Sequence, residues 1–183
     1  MQASADLIRL NWGCGPFTSP GWINADVRPA PGVDVLVQTG AALPLSDASV
    51  DLIVGMHVLQ DFAYPDVVPA LRELHRVLRP GGWLRLGLPD LDRAIRAYQA
   101  HEAGYFYIPD RDARSIGAKF VTQMIWYGSV RTPFNEDFGR ESLRTAGFGE
   151  VLRCEFGRTA SGRPALCTLD NRPRESLFLE ASK

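Results

Sequence analysis

Short apolar runs, each closed by glycine, proline or aspartate, set the pattern of the first half of the chain. Leu7 to Trp12 reads as a first strand ending in the turn Gly13-Cys14-Gly15, and Trp22 to Val27 as a second with Asp26 at its end. Val33 to Val37 is a third strand and Val50 to Gly55 a fourth. Leu71, Leu74, Val77 and Leu78 then recur at helical spacing, which predicts a helix over 65–78 lying on the sheet. Pro80-Gly81-Gly82 stops it and turns the chain into a fifth strand, Trp83 to Leu88. Strands alternating with loops and helices point to an α/β fold with a parallel sheet.

After Pro89 the pattern changes. Asp92 to Glu102 reads as helical, and Gly104 to Tyr127 mixes aromatic and charged residues around a second helix. Glu141 to Ala146 predicts a short helix stopped by Gly147; Val151 to Phe156 is a sixth strand and Ser176 to Ala181 a seventh. Residues 157–175 form a connection longer than most in compact domains, and such loops are often functional. The first crossover is unusually short. Residues 13–21, interrupted by Pro16 and Pro20, leave no room for the helix that joins parallel strands, which needs about a dozen residues or more. The sheet face that such a helix would cover needs a loop, the late segment or a second copy of the chain, so a homodimer is expected.

Composition narrows the class. At 183 residues, with 45% hydrophobic and 22% charged side chains, the chain suits one domain with a core that needs no staples. A net charge of −1 gives no overall attraction to nucleic acid. Cys14, Cys154 and Cys167 are too scattered for a disulfide framework and lack zinc-ligand spacing, so no metal is expected. No apolar run approaches the ~20 residues of a membrane span, and the first residues have neither a basic start nor an apolar stretch. The expectation is a soluble, cytoplasmic protein.

The chemistry starts at Asn11-Trp12-Gly13-Cys14-Gly15. Two glycines at the carboxyl end of a first parallel strand let the backbone approach a ligand closely. The dinucleotide fingerprint fails, because Pro16-Phe17-Thr18 follows in place of a third glycine and a phosphate-cradling helix start. The ligand expected there has no phosphates. Asp26 can accept both hydroxyls of a ribose, or it can cap backbone amides in its loop. Val27 can pack on an adenine face. The small residues Gly40 and Ala41 leave room for a flat ring, with Leu43 closing over it.

These residues carry a resemblance. Leu10-Asn11-Trp12-Gly13-Cys14-Gly15, then Asp26, then LPLSDASVDLIVGMHVLQDF and RVLRPGGWLRLGLPD resemble a class I S-adenosylmethionine-dependent methyltransferase over residues 7–92. GRESLRTAGFGEV is similar, more loosely, to the helix and sixth strand of that fold. The resemblance implies a doubly wound, Rossmann-like, seven-stranded sheet, mostly parallel with an antiparallel last strand. It also implies S-adenosylmethionine as cofactor, with Gly13, Cys14 and Gly15 on its methionine side and Asp26 on its ribose; Met56 belongs with this set. The chain departs from the family at Thr39, where an acidic residue often meets the adenine amine, and at Gln60-Asp61, where Glu-His often stands. The stretch from Gly-Cys-Gly-Pro to Gly21-Trp22-Ile23-Asn24 resembles a compact subgroup associated with surface-polysaccharide synthesis, which implies a sugar or other small-molecule acceptor.

On this reading residues 1–183 are one domain, with 90–135 as an acceptor-binding insertion. His57, just past the fourth strand, is the candidate general base, or else a histidine packed on the cofactor. Asp61 can orient it if a helical turn intervenes. Tyr105, Trp126, Tyr127 and Arg131 are the candidate acceptor contacts; the alternative for the aromatics is core packing. The competing function is a non-catalytic binding or scaffold protein on the same fold.

Overall fold

The computed structural model describes residues 7–40 and 42–183. Its strands are β1 (Arg9–Trp12), β2 (Ile23–Asp26), β3 (Val35–Leu36), β4 (Val50–Met56), β5 (Leu78–Pro89), β6 (Val151–Cys154) and β7 (Ser176–Ser182). They lie in the order β3-β2-β1-β4-β5-β7-β6. The pairs from β3 to β5 are parallel, and β7 runs antiparallel to both β5 and β6. This is the seven-stranded Rossmann-like sheet that the sequence implies. Among the described residues no helix is long and apolar enough to cross a membrane.

Helices α1 (Tyr64–Val77) and α4 (Glu136–Ala146) pack against each other and cover one face. Leu71 and Leu74 of α1 and Leu143 of α4 join Leu10, Ile53, Leu84 and Leu179 of the strands in the main core. Two elements start well before the point where the sequence pattern places them. Helix α4 starts five residues before Glu141, because Asn135 caps it: its Oδ1 accepts the Phe138 N–H at 3.0 Å, and Glu136 and Asp137 stand in the first turn. Strand β5 starts at Leu78, paired with Val50, and resumes the ladder at Trp83 opposite Leu52. Pro80-Gly81-Gly82 therefore end the helix but lie in an irregularity of the strand, with Gly81 at φ +77°.

The opposite face carries a second apolar cluster to which no α-helix contributes. Trp22, Leu52 and Val54 meet Leu166, which is fully buried, with Met56, Trp83, Ala165 and Leu169 around them. The cover is the long late segment, residues 157–175, with a 3-10 turn at Pro164–Cys167. The short crossover covers the neighbouring part through a polar clamp. Asn11 Nδ2 donates to the Phe17 carbonyl at 2.9 Å and to Asn24 Oδ1 at 3.0 Å, and the same Asn24 oxygen accepts the Ser19 N–H at 2.9 Å. The uncovered face that motivated a homodimer is thus absent, because the chain supplies its own cover.

A buried ion holds that cover down. Arg85 of β5 is fully buried, and its five guanidinium N–H groups all find acceptors. Asp170 takes two of them at 2.7 and 2.6 Å, and Glu180 takes one at 2.8 Å. The carbonyls of Glu155 and Arg158 take the others. Both carboxylates then hold the backbone of this covering segment, residues 157–175, which forms a strap across the sheet: Asp170 accepts the Gly157 N–H, and Glu180 accepts those of Ala160 and Ser161.

Beyond β5, helices α2 (Leu91–Gln99) and α3 (Ile116–Ile125) build a small core of their own, in which Ala94, Ala97, Tyr105 and Phe106 meet Ile116, Phe120 and Met124.

Replacing Arg85 with Met leaves Asp170 and Glu180 buried without a countercharge, so Arg85→Met is expected to lower unfolding free energy by about 3–5 kcal/mol. Urea unfolding measures this; a loss below about 1 kcal/mol would contradict the role given to the ion.

Candidate functional site

The carboxyl ends of β1, β2 and β4 converge on the glycine turn. Gly13 (φ +66°) sits so close to Val58 that an added Cβ would lie 2.4 Å from a Val58 methyl. Gly15 (φ +52°) has the opposite environment, with nothing within 4 Å of such a Cβ. One glycine allows close packing and the other leaves open space for a ligand. Asp26 closes the turn from the side: its two oxygens accept the Gly15 N–H at 2.7 Å and the Arg28 N–H at 2.9 Å. Each oxygen keeps a second lone pair, so the capping and ribose roles are compatible.

A cavity of about 570 Å³ opens here, lined by Asn11, the 13–19 turn, Met56 and His57, and walled on the far side by strap residues Thr168–Arg172. Gly13, Cys14, Gly15 and Met56 are thus brought together. Cys14 is buried, and burial raises its thiol pKa. Val27 lies next to Asp26 and is half-exposed. Gly40 (φ +79°) is exposed. Ala41 lies outside the described residues. Leu43 has its side chain buried in the main core, and its N–H donates to Glu73 Oε1 at 2.6 Å.

His57 stands between this cavity and a second one of about 270 Å³, which it lines together with Gln60, Asp61, Tyr105, Trp126, Arg172 and Glu175. Its hydrogen bonds settle its tautomer. The Ser176 hydroxyl donates to the Arg172 carbonyl at 2.8 Å, so it accepts from His57 Nε2–H at 2.7 Å. The lone pair is left on Nδ1, which faces the Arg172 guanidinium at 3.4 Å. Burial, and then the Arg172 charge, lower the His57 pKa to about 3. The ring is therefore neutral at neutral pH.

Asp61 does not orient this histidine. The segment Leu59–Asp61 is a 3-10 turn, and the Asp61 carboxylate takes its hydrogen bond from Gln60 Nε2 at 3.2 Å. Ser176 and Arg172 position the ring instead. Desolvation raises the Asp61 pKa, as it does that of Glu175.

Of the expected acceptor contacts, Tyr105 and Trp126 line the smaller cavity. Burial, and secondarily Asp90, push the Tyr105 phenol up to about 12, so it stays protonated. Tyr127 is exposed, and its hydroxyl donates to Asp112 at 2.7 Å; Arg131 is exposed, with its N–H on the Gln60 carbonyl. Neither is in the lining of these two cavities. Sequence reasoning missed Arg172, Glu175 and Ser176. Their signal was the charged run Arg172-Pro173-Arg174-Glu175 at the end of a loop too long to be a plain connection.

The unfolded chain takes up a proton at His57 below its ordinary 6.5, whereas the folded chain refuses it until about pH 3. The neutral ring's contribution to stability is therefore complete above pH 6.5 and is lost as the pH falls toward 3. His57→Asn keeps a side chain tolerant of the positive φ of +54°. It should shrink the stability loss between pH 7 and pH 5 by up to about 2 kcal/mol in urea unfolding. An unchanged loss would contradict the depressed pKa.

Comparison with known proteins bears on what this geometry is for. A family model described as a methyltransferase domain matches residues 19–86, from the short crossover through most of β5. An uncharacterized 37.1 kDa protein in transposon Tn4556 of Streptomyces fradiae is 34% identical over an alignment 121 residues long that covers 54% of this chain and 34% of that protein. The chain thus spans about a third of the curated relative that it matches. A S-adenosylmethionine-dependent methyltransferase from Thermotoga maritima superposes over 98% of this chain and 83% of its own, with TM-score 0.58 and 20% identity. The 1,6-didemethyltoxoflavin-N1-methyltransferase of Burkholderia thailandensis, solved with 1,6-didemethyltoxoflavin and S-adenosylhomocysteine bound, superposes over 97% and 71%, with TM-score 0.55 and 14% identity. The chain carries a methyltransferase domain match over β2–β5, set in the Rossmann-like fold of the S-adenosylmethionine-dependent methyltransferases.

Proposed function

We propose that the chain is an S-adenosylmethionine-dependent methyltransferase acting on a small-molecule acceptor. The observation that carries this is the pair of cavities at the carboxyl ends of the strands, which share a wall made of His57 and Arg172. The larger holds the methionine end of the cofactor against Gly13–Gly15 and the strap, with the ribose hydroxyls on the free lone pairs of Asp26. The smaller holds the acceptor, with Tyr105 and Trp126 from the 90–135 insertion at its walls. A sugar acceptor rests on the subgroup resemblance.

The cofactor supplies a sulfonium methyl that is already activated. The protein's work is then to align the acceptor and to exclude water. Open space at Gly15 and the lone pairs of Asp26 fit such a ligand. Asn11 and Asn24 hold the short crossover in place, and Arg85 holds the strap against it. His57 presents an unprotonated Nδ1 toward the shared wall, where it faces the Arg172 guanidinium and fixes one side of both cavities.

Titration calorimetry with S-adenosylmethionine and S-adenosylhomocysteine tests the assignment. The wild type is expected to bind both in the micromolar range, and Asp26→Ala to weaken both by about tenfold or more, the equivalent of one hydrogen bond to a charged group. Asp26→Asn, which retains an acceptor oxygen for only one of the Gly15 and Arg28 N–H groups, should fall between. A folded wild type that binds neither ligand would replace this reading with the scaffold one.

A further inference from the structure

We propose that the methyl acceptor is an amine, recognised as its ammonium by the Glu175 carboxylate in the smaller cavity. The proposal rests on the reading of that cavity as the acceptor site. Its basis is an uneven set of hydrogen-bonding groups. Glu175 is 8% exposed and lines the cavity, yet among the described residues no donor bonds its carboxylate. The nearest charge is Arg172, at 3.8 Å. That arginine is already turned to His57 Nδ1.

A buried carboxylate without donors is costly, and a charged donor from a ligand relieves the cost. Burial raises the Glu175 pKa, consistent with a carboxylate short of partners. Asp90 lines the cavity too: its Oδ1 accepts the Arg93 N–H at 3.0 Å, while its buried Oδ2 has no hydrogen-bond partner and faces two cations, Arg153 at 3.6 Å and Arg93 at 3.9 Å. Asp61 is exposed and bonded to Gln60.

Gln60 adds a second acceptor. It is 4% exposed, lines the cavity, and its Oε1 has no partner. Among the described residues, the buried donor left over on this cavity is Gln123 Nε2. Among the buried groups the surplus is of acceptors, with the exposed Arg28 and Arg172 at the cavity's edge, so the ligand that fits the buried part is rich in N–H. Tyr105 and Trp126 complete the match, because aromatic faces attract an ammonium.

In the transfer itself the ammonium first gives one proton to the Glu175 carboxylate. The freed nitrogen lone pair forms the N–C bond as the C–S bond breaks, and that electron pair stays on sulfur. The nitrogen leaves as a methylated ammonium, and the proton on Glu175 passes to water.

The test compares benzylamine, cationic at pH 7, with benzyl alcohol, which has the same shape and no charge. Each is titrated into the protein with and without saturating S-adenosylhomocysteine, and binding is read by NMR from the indole N–H of Trp126. Benzylamine should bind at least about tenfold tighter than benzyl alcohol, and Glu175→Gln should abolish the difference while leaving S-adenosylhomocysteine affinity within about twofold. The wild-type comparison stands even if the variant fails to fold. Equal binding of the two probes, or discrimination that survives in a folded Glu175→Gln, would overturn the proposal while leaving the methyltransferase reading intact. Discrimination that needs Glu175 in a protein blind to S-adenosylhomocysteine would do the reverse.

Discussion

The architecture depends on one buried cation. Arg85 lies in the middle of the sheet with no exposure, where an ion is tolerated only if every N–H is satisfied and the charge is matched. Two carboxylates and two carbonyls meet that demand, and three of these four groups, Asp170 and the carbonyls of Glu155 and Arg158, come from the segment that follows β6. The strap is therefore fixed to the sheet by the arginine's own requirements. A Phe178 ring 4.9 Å from the guanidinium carbon adds a cation–π contact on the apolar side.

From that anchor the rest of the site follows. The strap seats Leu166 on the sheet face that lacks a helix, then runs past the glycine turn as the far wall of the larger cavity. Two residues beyond Asp170 it delivers Arg172, which fixes His57 and contributes to both cavities, and then Glu175 and Ser176. A shortened first crossover is workable in this fold because a late segment has taken over both the covering and the walling. The charges obey the same logic. Burial, with Arg172 as the lesser cause, keeps His57 neutral, and Glu175 is left as the carboxylate without donors.

What could be read in the sequence was whatever depends on local pattern. The apolar runs placed β1 to β5, the glycine pair and Asp26 placed the turn, and the residues after Pro89 supplied Tyr105 and Trp126. The errors have physical causes. The cap at Asn135 lies six residues before the hydrophobic pattern becomes visible at Glu141, and the register irregularity in β5 is set by pairing with β4 rather than by propensity. Residue type alone does not tell that Leu43 packs in the core while Tyr127 and Arg131 face solvent. Arg172 and Glu175 matter only because Arg85, distant in sequence, pins their segment, and no local pattern encodes a contact of that range.

The central claim is that the strap and the glycine turn together enclose the cofactor. A crystal structure with S-adenosylhomocysteine tests it most directly. The account predicts the ribose hydroxyls on Asp26 and the amino-acid end between Gly13–Gly15 and Thr168–Arg172. A ligand bound elsewhere, or one that touches no residue of the strap, would contradict it.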